Sequence, residues 1–194
     1  MKAKLLFLTL SLLFLSPALW AESSSESMVG QEAPFLSGKK AQGEGLMKLQ
    51  TLMKEFGFKK DTQGNPVEEG GKYVPEVTKN VVVLNFFSTS CVPCMREIPT
   101  YNRIAEHFQG KAAKLIYVNV DTEISDEDMT RFIAKKKIDL PMMLPNQRDA
   151  IKKYQVNSLP RIVVINKEGI ISHEFRGFKE DLETQLTNII ESLL

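Results

Sequence analysis

The chain is poor in the residues that build metal sites and covalent cross-links. It has two cysteines in 194 residues, Cys91 and Cys94, which excludes a disulfide-stapled miniprotein and any zinc site with four cysteine ligands. There are two histidines, His107 and His173, and neither lies at ligand spacing from the cysteines. The one tryptophan is Trp20, close to the N-terminus. Neither sign of charge dominates: 25 Lys+Arg stand against 24 Asp+Glu, for a net +1. A general electrostatic grip on nucleic acid is therefore not expected. With 43% hydrophobic and 25% charged residues, 11 Gly and 9 Pro, the composition excludes collagen-like, low-complexity and fully disordered chains. The length suits one domain with at most an appendage, and no internal repeat is visible.

One long apolar run is present. Lys2 and Lys4 precede Leu5–Leu15, and Ser16-Pro17-Ala18-Leu19-Trp20-Ala21 follows, the layout of a secretory signal peptide over residues 1–21. Eleven helical residues reach about 16 Å, roughly half of a bilayer's hydrocarbon core. The expectation is an exported protein, periplasmic or otherwise extracytoplasmic, and membrane-tethered only if the leader stays uncleaved. No cysteine adjoins the leader, which excludes a lipid anchor there. Export would place the cysteines in an oxidising compartment.

Residues 22–45 read as a linker and lead-in segment, Ser/Glu-rich at first. Leu46, Leu49, Leu52, Met53 and Phe56 recur at helical spacing, which predicts an amphipathic helix ended by Gly57. Turn signals at Gly64-Asn65-Pro66 and Gly70-Gly71 make Asp61–Lys79 a loop or hairpin, so residues 46–80 form an extra helix and loop. From Val81 the pattern is regular. Val81–Phe87 is a continuous apolar run expected of a buried central strand. A helical stripe follows through Ile98, Tyr101, Ile104, Ala105 and Phe108, with Pro93 in its first turn and Pro99 expected to kink it. Then come a strand at Leu115–Val120, a helix opened by Ser125, a short strand at Met142–Leu144 and a helix carrying Tyr154. A hairpin around Lys167-Glu168-Gly169 and a closing helix through Leu182, Leu186 and Leu193 end the chain. This order predicts an α/β domain over residues 81–194, with a mixed, mainly parallel sheet flanked by helices and antiparallel pairing at one end.

Cys91-Val92-Pro93-Cys94 falls where the central strand turns into a helix, the place where chemistry sits in such sheets. A cysteine at a helix start faces unpaired N–H groups and the positive end of the dipole, which stabilises its thiolate. The second cysteine lies nearly one turn further in, within disulfide reach. One thiol can then attack a foreign disulfide and the other resolve the mixed disulfide. A metal site and an inert staple are the alternatives on spacing alone. A staple here would close only four residues and add about 2 kcal/mol.

The segment Val83-Leu84-Asn85-Phe86-Phe87-Ser88-Thr89-Ser90-Cys91-Val92-Pro93-Cys94-Met95-Arg96-Glu97-Ile98-Pro99 resembles the active-site region of thioredoxin-like proteins, in particular the exported TlpA/ResA branch. Gly30-Gln31-Glu32-Ala33-Pro34 resembles that branch's N-terminal motif, and Pro141–Tyr154 its central strand–helix insertion. Ser158-Leu159-Pro160 resembles its cis-proline loop. The resemblance implies a thioredoxin-like fold and assigns roles. Cys91 is expected to be the nucleophile and Cys94 the resolving thiol. Pro160 and Leu159, with Val92 and Pro93, are expected to shape the substrate groove, and Glu97 matches an acid found beside the dithiol. Asn85 stands where thioredoxin has a buried aspartate. An amide takes no proton, so a carboxylate relay would fall to Glu97. The plain alternative for Glu97 is an exposed helix acid balancing Arg96 or a lysine. Ser90 replaces the usual tryptophan, so the aromatic shoulder over the dithiol is missing.

The function expected from this reading is an exported thiol-disulfide oxidoreductase that reduces disulfides in extracytoplasmic proteins, in the manner of apocytochrome c or oxidase copper-site maturation. Its redox group would be the Cys91–Cys94 pair, with no added cofactor and no bound metal. Its partners would be a disulfide-containing protein substrate and a membrane electron-donor protein, and not nucleic acid. The rival readings are a disulfide oxidase or isomerase and a copper-binding chaperone without turnover.

Overall fold

The structure, a computed structural model, describes residues 26–194. The proposed leader lies outside the described residues. Strands are β1 (Ser37–Lys40), β2 (Leu46–Lys48), β3 (Lys54–Phe58), β4 (Glu68–Glu69), β5 (Lys72–Tyr73), β6 (Pro75–Lys79), β7 (Val81–Phe87), β8 (Ala113–Asn119), β9 (Met142–Pro145), β10 (Arg161–Ile165) and β11 (Ile171–Arg176). Helices are α1 (Leu49–Met53), α2 (Val92–His107), α3 (Asp126–Lys136), α4 (Gln147–Lys153) and α5 (Leu182–Leu193). Seven strands make the main sheet in the order β11-β10-β7-β8-β9-β1-β2.

Every residue of β7 is buried, which is why its sequence is apolar without alternation save for Asn85. Val81, Val83 and Phe87 point into the core beneath α2, α3 and α5. Val82, Leu84 and Phe86 point into a second core on the other face, shared with α1 and α4. The expected thioredoxin-like α/β architecture is present, with a mixed sheet. Its parallel part is narrower than the strand–helix alternation predicts: only β7–β8 and β8–β9 pair parallel, and both sheet edges are antiparallel. Among the described residues no helix is long and apolar enough to cross a membrane.

The expected helix from Leu46 to Phe56 is corrected. Only Leu49–Met53 is helical, while Leu46–Lys48 pairs with β1 and Lys54–Phe58 pairs with β6, so Gly57 lies within a strand. The apparent stripe fails at both ends, since Leu46 is 64% and Phe56 82% exposed while off-stripe Met47 is buried. Hydrogen bonding to distant strands outweighs the local period here. Strand β1, within the stretch read as linker and lead-in, approaches β9 so closely that a Cβ on Gly38 would sit 2.5 Å from the Leu144 backbone. The loop reading of Asp61–Lys79 holds in part: β4 and β5 form a hairpin across Gly70-Gly71, whose φ values of 60° and 77° are the left-handed pair a tight hairpin needs.

This segment sets up a stability contrast. Leu49 is fully buried, so Leu49→Ala is expected to cost about 2–5 kcal/mol. Phe56→Ser, on the exposed ribbon, is expected to change stability by about 0.5 kcal/mol or less. Urea unfolding of the two variants measures both, and equal losses would contradict the placement.

Candidate active site

Strand β7 ends at Phe87, and Ser88-Thr89-Ser90 lead into Cys91, the cap residue of α2. The Cys91 Sγ accepts the Cys94 backbone N–H at 3.2 Å, so the sulfur takes the place a capping oxygen usually fills. Cys91 and Cys94 are joined as a disulfide across a Cα–Cα distance of 5.3 Å. Cys91 is half-buried, whereas Cys94 is 4% exposed and belongs to the core under α2. Val92 and Pro93 stand exposed beside them, Pro93 in the first turn where an N–H is not needed. Helix α2 continues through Pro99, which lies on its exposed side.

Glu97 is not an exposed helix acid. It sits one turn below Cys94 on the inward face of α2 and is 2% exposed. Its Oε1 accepts the Lys179 N–H at a long 3.4 Å, and its Oε2 has no partner among the described residues. Burial pushes this carboxyl up to about 7, against a small opposing pull from the Lys179 N–H. Asn85, at 2% exposure, lies on the same side of the sheet, and its Oδ1 is also unpartnered among the described residues. Arg96 does not pair with Glu97; its guanidinium rests 4.4 Å from the Phe178 ring centre.

The peptide bond between Leu159 and Pro160 is cis, as expected of the loop before β10. Pro160 is buried and its carbonyl accepts the Gly177 N–H at 2.8 Å. Leu159 touches both cores and, with Ser88, Ser90, Asp121 and Asn157, lines a hollow of about 510 Å³. The two loops that precede Cys91 and β10 therefore adjoin.

Two functional-site neighbours escape sequence reading. Asp121, just past the end of β8, accepts hydrogen bonds from Ser88 Oγ at 2.5 Å, Thr89 N at 3.0 Å and Asn119 Nδ2 at 2.8 Å. Burial works to raise its pKa, but these bonds prevail and hold it below the usual carboxylate range. Its position at the carboxyl end of a parallel strand is the signal that could have found it. Arg161, buried directly after Pro160, donates to the Tyr154 carbonyl at 2.8 Å and to Glu174 at 3.0 Å. A charge opening an apolar strand is a weak hint of such a pair.

A thioredoxin-like sheet that carries a disulfide at the start of the helix after its central strand defines a thioredoxin-like thiol–disulfide protein as the structural class. The chain belongs to the AhpC/TSA family, whose pattern it matches over residues 29–174. It is 31% identical over 110 residues to the thiol-disulfide oxidoreductase ResA of Bacillus thuringiensis subsp. konkukian, covering 56% of this chain and 62% of that protein. The chain thus matches less than two thirds of that relative's length. Among solved structures, the thioredoxin domain of a thiol-disulfide oxidoreductase from Bacteroides vulgatus superposes with a TM-score of 0.63 at 18% identity, over 85% of this chain and 99% of that one. A thioredoxin-family thiol:disulfide interchange protein from Chlorobium tepidum TLS gives a TM-score of 0.61 at 16% identity, over 87% and 99%. At these identities the solved structures establish the fold.

Proposed function

We propose that the protein is an exported thiol-disulfide oxidoreductase that reduces disulfides in proteins outside the cytoplasm. The observation that carries this reading is the asymmetry of the pair: Cys91 half-exposed at the helix N-terminus, Cys94 buried one turn in, and Glu97 buried beneath it. In the reduced protein, Cys91 thiolate attacks a substrate disulfide and releases one substrate thiolate, forming a mixed disulfide. Cys94 then attacks the Cys91 sulfur, the second substrate thiol leaves, and the protein keeps the disulfide while the substrate has gained two electrons. The Cys94 proton passes to the Glu97 carboxylate. Pro160, Leu159, Val92 and Pro93 shape the groove that holds the substrate chain. The leader over residues 1–21 supports export, and a membrane electron-donor protein restores the dithiol. Cysteines of apocytochrome c heme sites or of oxidase copper sites are the substrates this reading favours.

Reduced protein supplied with dithiothreitol is expected to accelerate insulin reduction through many turnovers. A rate no higher than dithiothreitol alone, together with tight stoichiometric Cu(I) binding, would establish the copper-chaperone reading instead. The redox equilibrium with glutathione separates a reductant from an oxidase or isomerase, 30 mV corresponding to about 1.4 kcal/mol.

A further inference from the structure

We propose that Asp121 is a positioning residue that sets the redox poise of the dithiol, by drawing the hydroxyl protons of Ser88 and Ser90 away from Cys91. The inference rests on the redox role of Cys91 proposed above.

The hydrogen bonds next to the disulfide have only one consistent direction. The Asp121 carboxylate, held ionised by its donors, can only accept. Ser88 Oγ, 2.5 Å away, must therefore give it the one proton a serine hydroxyl has. Ser88 Oγ also lies 2.9 Å from Ser90 Oγ and 3.2 Å from the Ser90 N–H. Its proton being committed, Ser88 accepts both, and the Ser90 hydroxyl proton points towards Ser88. The result is a chain from Ser90 to Ser88 to Asp121, aligned away from the sulfur. Asn119 secures the receiving end: its Nδ2 donates to Asp121 Oδ2 at 2.8 Å and its Oδ1 accepts the Asp121 N–H at 3.1 Å. The same clamp holds the turn, because the Ser88 carbonyl accepts the Cys91 N–H at 3.1 Å.

The consequence for Cys91 follows from charge. A hydroxyl donating to a thiolate would stabilise the reduced form, and a nearby carboxylate does the opposite. Asp121 draws the hydroxyl protons of the Ser88–Ser90 turn towards itself and sets a negative charge against the loop before Cys91. Both effects disfavour the thiolate and make the couple more reducing. Ser90, which stands where an aromatic shoulder is absent, thereby contributes a polar link to the turn instead of a hydrogen bond to the thiolate.

The test is the equilibrium of the Cys91–Cys94 couple with glutathione, which any dithiol reaches whether or not insulin is turned over. Asp121→Asn is expected to shift this equilibrium towards the dithiol by about fivefold or more, since it removes the charge and replaces the carboxylate that holds the Ser88 proton with a weaker amide acceptor, whose oxygen the Thr89 N–H and Asn119 Nδ2 also claim. Ser88→Ala, which breaks the chain but keeps the charge, is expected to shift it in the same direction by a smaller factor. Ser90→Ala is expected to shift it by less than about twofold, its proton being already held elsewhere. Circular dichroism verifies folding, and if Asp121→Asn does not fold, the contrast between Ser88→Ala and Ser90→Ala decides. An unchanged equilibrium in Asp121→Asn, or in Ser88→Ala should that variant stand alone, overturns the inference. So does a Ser90→Ala shift towards the disulfide, which would mean that Ser90 donates to the thiolate. Failure of insulin turnover alongside the expected glutathione shifts would count against the proposed function and leave this inference standing.

Discussion

A Cys94→Ser protein incubated with a disulfide substrate is expected to accumulate a covalent adduct on Cys91, whereas Cys91→Ser is expected to trap none. Turnover should be abolished in both. The reason lies in where the two sulfurs sit. Cys91 caps α2, with the Cys94 backbone N–H directed at its Sγ and part of its surface open to solvent, so its thiolate is both stabilised and reachable. Cys94, 4% exposed and part of the core that also holds Ile98, Phe87 and Leu182, cannot meet a bulky protein disulfide before Cys91 has drawn it in. Removing Cys94 leaves attack intact and deletes the only thiol positioned to resolve it. Peptide mapping of the trapped complex reads the outcome. Substrate found on Cys94 in a Cys91→Ser protein would reverse the assignment.

Glu97→Gln is expected to alter the response to pH more than any other single change in the core. The folded carboxyl titrates at about 7 against an ordinary value of 4.5, because burial disfavours its charged form. Between those values the unfolded chain has released the proton while the folded chain still holds it, so the folded state binds more protons. Stability therefore falls as pH rises through this window, by a total of about 3 kcal/mol from this group, and the slope from it ends above about 7. The glutamine variant loses that slope. Urea unfolding at pH 5 and pH 8 should show the difference between wild type and variant changing by most of that total, about 2.5 kcal/mol.

On the proposed mechanism the same substitution removes the acceptor for the Cys94 proton. Resolution of the mixed disulfide should slow and lose its inflection near pH 7. Asn85→Ala, in the same core but unable to carry a proton, should slow this step less. A pH–rate profile identical to wild type in Glu97→Gln would reduce that residue to a buried acid without a part in the chemistry.

Particular elements show how much of this was readable in the sequence. The central strand announces itself because all seven residues of Val81–Phe87 are buried, and burial on both faces writes an apolar run broken only by Asn85. The closing helix is equally legible, since Leu182, Leu186 and Ile190 face one core at helical spacing. The capping of α3 by Ser125, whose Oγ accepts the Asp128 N–H at 3.1 Å, is a local interaction and leaves a local signature. The burial of Glu97 was within reach too: Cys94, Glu97, Ile98 and Tyr101 share the inward stripe of α2, and only the charge argued for an exposed position. By contrast, β1 and β2 exist because Gly38 meets Met47 on one side and Pro145 on the other, and neither partner is visible from the segment itself.

The sequence alone determined much of what depends on neighbours within a turn or two of chain: the strand–helix junction that carries Cys91 and Cys94, the helical stripes of α2 and α5, the Ser125 cap and the turns at Gly70-Gly71 and Lys167-Glu168-Gly169. Local hydrogen bonding and side-chain periodicity act at that range and write themselves into residue order. Only the tertiary structure decided the edges of the sheet, the burial that raises the Glu97 carboxyl, the Arg161–Glu174 pair and the Asp121 clamp on the turn before Cys91. Asp121 meets Ser88 across 33 residues of chain. Such contacts form when β7 and β8 lie side by side, with Phe87 in register with Asn119, so that their carboxyl ends deliver two loops to one place. Desolvation and long-range hydrogen bonds depend on that three-dimensional meeting, which no window of residues contains.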